Sequence, residues 1–389
     1  MRYQVRNIIF FLIFNIVFFA VLEIFFTTFF IFHSSNYYGP FTQILLKSTL
    51  EEEKVNVYEF RWNKLTQKLY PGTYKYNNEF EFKVNSLGFL GEEFSIENKK
   101  NCRIISFGGS TTAGVESGRP YPKILEEKFY ENNINCEVLN FGFGSKGLNF
   151  LEDLLVNEAV DYNPNIITIM SNRNATMYDS YGNSVTTPDV IKNKFDYIIY
   201  KTNKFLFSKI MTYRFLQLSY KRILSKFYSQ ENKIIDPYNP KNFHLKNYFT
   251  SKYINQMTNI LNFCKSRGIM VIFIKQGFYI DPTYQKSLKL LPNEKIIEKL
   301  MVYNKESNRD KIDLFWIYTN LILNNALEKI KTENKDVIIV DPIDKLYSFK
   351  KEKNFLNDGL HLTSDGNEII AAEIMKSIMK NIDLSAFSP

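Results

Sequence analysis

The sequence predicts an α/β protein, a five-stranded parallel sheet with helices on both faces, preceded by an N-terminal transmembrane helix. Three observations carry this reading. Five short apolar runs recur along the chain, helix-like stretches separate them, and an unbroken apolar segment lies ahead of them all. Strands alternating with helices pair in parallel. Parallel sheets are buried on both faces, so their strands read as continuous apolar runs.

From Asn7 to Phe32 nearly every residue is apolar. As a helix this stretch would reach roughly 39 Å, enough to cross a bilayer with tilt. Arg2 and Arg6 precede it, while His33, two Ser, Asn36 and two Tyr follow. The positive-inside rule then puts the N-terminus in the cytoplasm and the remaining chain outside it. A cleaved signal peptide would have a shorter apolar region and a small-residue cleavage site, which FIFHSSNYYG supplies poorly. Residues 1–33 are therefore expected to be a cytoplasmic stub and an uncleaved anchor, with residues 7–32 in the membrane. Glu23 within the span is expected to be neutral or to reach the interface, since a carboxylate in hydrocarbon costs several kcal/mol.

Residues 34–100 are mixed and Tyr-rich. YPGTYKYNNEFEFKVNSLGF reads as short strands around Pro71-Gly72 and Tyr76-Asn77-Asn78, a leader expected to pack on the main domain. The regular pattern then occupies 101–389. Buried strands are predicted at Arg103–Phe107, Val138–Phe141, Ile166–Met170, Ile269–Ile274 and Val337–Val340. Helices are predicted at 121–132, 148–161, 252–266, 310–332 and after Thr363. A helical insertion is expected at about 195–250. Within it, 201–233 carries apolar residues at helical spacing with Lys and Arg between them, read as helices covering the pocket, with an interfacial helix near lipid headgroups as the alternative.

Other classes are set aside by composition. The net charge of +8 is scattered, with no block of like charges, so no nucleic-acid partner is expected. Three cysteines match neither a disulfide scaffold nor a metal spacing. Cys102 and Cys136 each lie eight residues before a site position, Ser110 and Gly144, on strands that should be neighbours. An extracytoplasmic location would permit a disulfide between them, but cross-strand geometry is demanding, so free buried thiols are the expected state. GFGSKG at 142–147 matches the dinucleotide fingerprint, but the end of the next strand offers Ser171-Asn172 where an acid is required. GGSTTAG lacks the Lys of a P-loop, and Thr112 stands where the G-x-S-x-G elbow needs its last Gly.

In open α/β sheets, binding groups collect at the carboxyl ends of the strands. After the first strand comes FGGSTTAG with Ser110, after the second NFGFGSKG, after the third SNRNA with Asn174, and after the fifth DGLHLTSDGN with Asp358 and His361. A Ser hydroxyl needs a base to take its proton, and imidazole serves near neutral pH. Only three histidines exist. His33 adjoins the expected membrane span and His244 sits in an irregular polar stretch, which leaves His361. A carboxylate on the other ring nitrogen fixes the tautomer, and the D-x-x-H spacing lets Asp358 fold back to it. The oxyanion of a tetrahedral intermediate needs donors. The Ser110 N–H, an N–H of the Gly144-Ser145 loop and the Asn174 amide are the candidates.

These blocks resemble the SGNH/GDSL hydrolase family over about 101–385, together with NSLGF at 85–89. GGSTT holds Ser110, NFGFG is the second block, Asn174 stands in the third, and DGLHLT holds Asp358 and His361. The resemblance implies a flavodoxin-like three-layer α/β/α sandwich and hydrolysis or transfer of acyl groups from esters. Two positions depart from the family pattern. Ser145 falls where a Gly oxyanion donor is usual, and Asn172-Arg173-Asn174-Ala175 replaces Gly-x-Asn-Asp. The expectation is an extracytoplasmic esterase or O-acyl transferase acting on an esterified glycan or lipid. No metal or organic cofactor is implied, and the sequence carries no signature of oligomeric state. The alternative is a catalytically silent carbohydrate-binding or assembly protein that keeps the fold.

Overall fold

The computed structural model describes residues 11, 14–15, 17–25, 62–63, 68–69, 71–76, 80–97, 100–144, 146–172, 246–280, 288, 295–296, 298–300, 302, 311–348 and 351–382. By its contacts the chain divides into two units, 1–70 with 192–235, and 71–191 with 236–389. In the first unit residues 17–25 are helical, and Trp62–Asn63 pairs antiparallel with Lys68–Leu69. Among the described residues no helix is long and apolar enough to cross a membrane. The span expected over 7–32 lies largely outside the described residues, as does the aromatic and basic stretch 201–233.

The second unit opens with a hairpin, β1 (Gly72–Tyr76) and β2 (Phe80–Val84), paired antiparallel. The sheet follows as β3 (Cys102–Gly108), β4 (Cys136–Gly142), β5 (Ile166–Met170), β6 (Met270–Ile274) and β7 (Ile338–Val340). All neighbours are parallel, in the spatial order β4-β3-β5-β6-β7. Every residue of β3 and β5 is buried, as continuous apolar runs require. The chain passes from β3 outward to β4, then crosses back to β5 on the other side of β3. The carboxyl end of β3 is thus the switch point where such sheets hold their ligands.

Successive side chains of a strand point to opposite faces. Cys102, Ile104, Val138, Ile166, Ile272 and Val340 share one core with α2 (Tyr121–Glu131) and the C-terminal helix Ser364–Asn381, numbered α8 below. On the opposite face, α3 (Leu148–Asn157) packs on α4 (Lys246–Lys265), and α4 on α5 (Lys311–Glu333). The helix expected over 148–161 breaks at Glu158 and continues as a 3₁₀ turn, Ala159–Tyr162. That turn delivers the Tyr162 ring to an aromatic cluster with Phe89, Phe94 and Phe141. The C-terminal region adds α6 (Ile343–Leu346) and α7 (Lys351–Asn354), with α8 capped by Thr363, whose hydroxyl accepts from Gly366 N–H at 3.1 Å.

NSLGF earns its place by a turn. Asn85 Oδ1 accepts from the Leu87 and Phe89 N–H groups, Gly88 takes φ +83, and Phe89 stacks on Phe141. Leu90 bridges Val84 of β2 and Asn140 of the edge strand β4, so the leader covers part of an otherwise open sheet edge. One expectation is corrected. Cys102 and Cys136 stand directly opposite across β3 and β4, and they are joined as a disulfide, not free thiols. The parallel register of two edge-side strands brings the pair close enough to bond, which spacing alone could not show. Cys264 is free and buried.

Candidate active site

The nucleophile turn is built by close approach. β3 ends at Gly108, and α1 (Ser110–Ala113) begins one residue later behind Gly109. A Cβ on Gly108 would lie 1.9 Å from Thr112 Oγ1 and 2.5 Å from the Met170 carbonyl oxygen, so no side chain fits. Opposite it, a Cβ on Gly142 would meet Ala113 N at 2.2 Å. Asn140 locks the two loops together. Its amide donates to the Ala113 carbonyl at 3.2 Å, and its oxygen accepts from Gly142 N–H at 3.0 Å. Gly144 follows, and a Cβ there would sit 4.0 Å from Ser110 Cβ. Its backbone therefore lies near Ser110. Ser145 and Asn174 lie outside the described residues.

Asp358 and His361 ride on a small loop closed by a bridge between Phe355 and Leu362. Gly359 turns it with φ +70, its N–H donating to the Leu356 carbonyl at 2.9 Å. The loop is pinned to the rim of β6, where Tyr279 N–H donates to the Gly359 carbonyl at 2.6 Å. Lys351 Nζ holds the Asn357 carbonyl at 2.7 Å.

These supports bring together groups 251 residues apart. His361 Nε2 lies 2.7 Å from Ser110 Oγ, and Nδ1 is hydrogen-bonded to Asp358 Oδ2. Asp358 Oδ1 accepts from the Leu360 and His361 backbone N–H groups at 2.9 and 3.0 Å. Partial burial pushes the Asp358 carboxyl up. The hydrogen bond and charge of His361, with the two backbone donors, outweigh that and hold it well below the usual carboxylate range. The Asp358 side chain is about half exposed, at 48%, whereas the His361 ring is mostly covered, at 14%. With Asp358 ionised, Nδ1 carries the proton and Nε2 faces the serine as an acceptor, the arrangement a base needs.

Glu116, Ser117 and Gln276 escape a reading by motif. Glu116 sits on the 3₁₀ turn Val115–Ser117, its Oε1 3.5 Å from His361 Nε2. Burial pushes its carboxyl up, opposed by the charge of His361. Ser117, next to it, accepts from Asn367 of α8 at 2.9 Å and donates to the Gly114 carbonyl at 2.8 Å. Beneath Ser110, Gln276 donates to Thr111 Oγ1 at 3.1 Å and accepts from Asn172 N–H at 3.0 Å. Asn172 is fully buried, accepting from Tyr253 and donating to Asn324. The Asn standing where the resemblance puts a Gly is thus part of the protein interior. Beside Ser110 a narrow cleft is lined by Met170, Ser171, Gln276 and Leu360. No motif in the sequence marked Glu116, and the Asn172–Gln276–Asn324 network has no period or spacing to betray it.

A serine hydrogen-bonded to an imidazole that is itself held by a carboxylate is an arrangement whose serine oxygen can attack a carbonyl carbon. Among the described residues no group of His, Cys, Asp and Glu could hold a metal ion.

No family model matches the chain, and no curated protein matches it. Solved structures do. A lipase/acylhydrolase from Enterococcus faecalis aligns at 12% identity over 73% of this chain and 98% of its own, with a TM-score of 0.38. A GDSL-like lipase from Bacteroides thetaiotaomicron aligns at 12% identity over 74% and 93%, TM-score 0.37. A mutant acetyl-xylooligosaccharide esterase from Geobacillus Stearmophilus aligns at 10% identity over 74% and 97%, TM-score 0.40. The solved structures to which this chain is similar include GDSL-like lipases, acylhydrolases and carbohydrate esterases.

Proposed function

We propose that the chain is an SGNH/GDSL-type serine esterase, acting outside the cytoplasm on an ester carried by a glycan or a lipid. One observation carries the reading: the unbroken hydrogen-bonded series Ser110 Oγ, His361, Asp358. Ser110 Oγ attacks the ester carbonyl while Nε2 takes its proton. The backbone N–H groups of Ser110 and of the Gly144-Ser145 loop, with the Asn174 amide, receive the oxyanion. Collapse of the intermediate expels the alcohol, which leaves with the proton from Nε2–H. The acyl-Ser110 ester then passes to an acceptor by the same steps in reverse. Asp358 keeps the tautomer and steadies the imidazolium.

The location rests on the apolar segment 7–32 as a membrane anchor. Its described part supports that reading, because Phe11, Phe14, Phe18, Val21, Ile24 and Phe25 are large apolar side chains left exposed on helical residues. The disulfide supports it too, since such bonds persist in oxidising compartments.

A fluorophosphonate probe tests the enzyme. The wild-type chain labels at Ser110, while Ser110→Ala loses both the label and about 10⁴-fold or more of any ester turnover. A wild-type chain that neither labels nor turns over esters would leave the silent glycan-binding or assembly protein as the reading.

A further inference from the structure

We infer that Glu116 is a catalytic residue of the second half-reaction, holding the water that attacks acyl-Ser110 and so favouring hydrolysis over acyl transfer to an alcohol. This rests on the esterase reading and sharpens it, by naming the acceptor.

The observation is a buried carboxylate beside the base, with one oxygen near Nε2 and the other without a partner. Glu116 has only 9% of its side chain exposed and puts Oε1 3.5 Å from His361 Nε2. Oε2 is buried with no hydrogen-bond partner. A buried polar atom without a partner is destabilising, more so when it can carry charge, and calls for an explanation. Folding supplies none. The turn that carries Glu116 is held by Ser117, Gly114 and Asn367, not by the carboxylate. Among the described residues, the charged groups acting on it are His361 and Asp358, both from the loop 355–362.

Its place relative to Nε2 decides what the carboxylate can do. In the resting enzyme Nε2 faces Ser110 Oγ. Once that oxygen is acylated, Nε2 has no proton to receive until an acceptor arrives. The acceptor oxygen must sit within hydrogen-bond reach of Nε2, and so beside Glu116. Water has two protons, one for Nε2 and one for the carboxylate. An alcohol has one proton, and its carbon would face a buried carboxylate left without a donor. The site therefore discriminates by leaving a polar group unpaired against the wrong acceptor.

The step balances. Water oxygen bonds to the acyl carbon as one of its protons passes to Nε2. The tetrahedral intermediate expels Ser110 Oγ, which takes that proton back from Nε2–H. The second water proton, hydrogen-bonded to Glu116, remains on the product carboxylic acid and is lost to solvent.

The experiment uses full-length wild type, Glu116→Gln and Glu116→Ala with p-nitrophenyl acetate and graded glycerol, measuring acetate and glyceryl acetate together. In Glu116→Ala the ratio of transfer to hydrolysis rises about tenfold or more, and acyl-Ser110 accumulates as a burst. Glu116→Gln, whose carbonyl still accepts a hydrogen bond, falls between. Wild type alone supplies an independent arm. Acidification protonates Glu116, removing its charge and leaving a carbonyl acceptor like that of Gln, so the wild-type ratio rises toward that of Glu116→Gln as the pH falls. A ratio unchanged in both variants, or flat with pH in wild type, overturns the role of Glu116. Absence of Ser110-dependent turnover in wild type overturns the esterase reading instead.

Discussion

Asp358 and His361 show what a single carboxylate contributes when it faces inward on one side and solvent on the other. Its folded-state ionisation lies below the usual carboxylate range, so its contribution is present above the ordinary value and is lost only as the pH falls through the depressed one. Acid in the ordinary assay range does not uncouple it from the ring. Removing its charge does. Asp358→Asn keeps the shape but offers an amide that can hold the wrong tautomer, presenting a donor to Ser110. The expected loss is about 10²–10⁴-fold in kcat, with a thermal unfolding midpoint within a few degrees of wild type. Steady-state kinetics beside a melting curve would check it. Equal kcat in wild type and Asp358→Asn would show that the ring needs no partner. The residue scale was half legible in the sequence. Ser110, Asp358 and His361 sat in short polar blocks after apolar runs, and chemistry alone nominated them. Glu116 and Gln276 did not, because a partner selected by three-dimensional contact leaves no spacing to read.

The elements of the sheet were legible almost to the residue, since burial on both faces demands continuous apolar runs and those runs are hard to mistake. What the pattern could not supply was how helices meet. On α3, Glu152 lies inside the contact with α4, almost wholly buried, near Gln256 and Asn259. Burial pushes its carboxyl up to about 7, the Gln256 and Asn259 amides and Lys252 opposing. The sign is the reverse of an ion-paired acid. Between the unfolded value near 4.5 and about 7 the native state keeps a proton that the unfolded chain has released, so stability falls as pH rises across that window. The full effect is on the order of 3 kcal/mol, taking about 1.4 kcal/mol per unit. Urea unfolding at pH 5 and pH 8 should show the wild type losing stability on going to pH 8, and Glu152→Gln losing much less. Parallel pH dependence in the two proteins would mean that Glu152 finds a charge partner when it ionises. A helical period marks a face as apolar, but a lone Glu on that face reads in sequence as an ordinary surface acid.

At the scale of the whole molecule, the disulfide and the apolar N-terminal segment bear on the same question from opposite ends. Cys102 and Cys136 are fixed opposite one another by the register of β3 on β4, and the bond closes a loop of 34 residues around α1 and α2. Such a closure is worth about 2–4 kcal/mol, and it endures only where thiols are not kept reduced. We propose the same location from the N-terminal charge pattern, because Arg2 and Arg6 before the apolar run would keep that end inside by the positive-inside rule. If both inferences hold, they must agree in one experiment on intact cells. The chain should pellet with membranes and resist carbonate extraction. Cys102 and Cys136 should refuse alkylation until a reductant is added, and Cys264, buried on α4, should react only after unfolding. Replacing Arg2 and Arg6 by Glu, with Lys added after Phe32, should reverse the orientation, returning both cysteines to a reducing compartment where they alkylate freely. A native chain in which Cys102 and Cys136 alkylate without reductant would put the catalytic domain in the cytoplasm. The register of β3 and β4 would then be a matter of packing alone, and the ester substrate would have to be sought inside the cell.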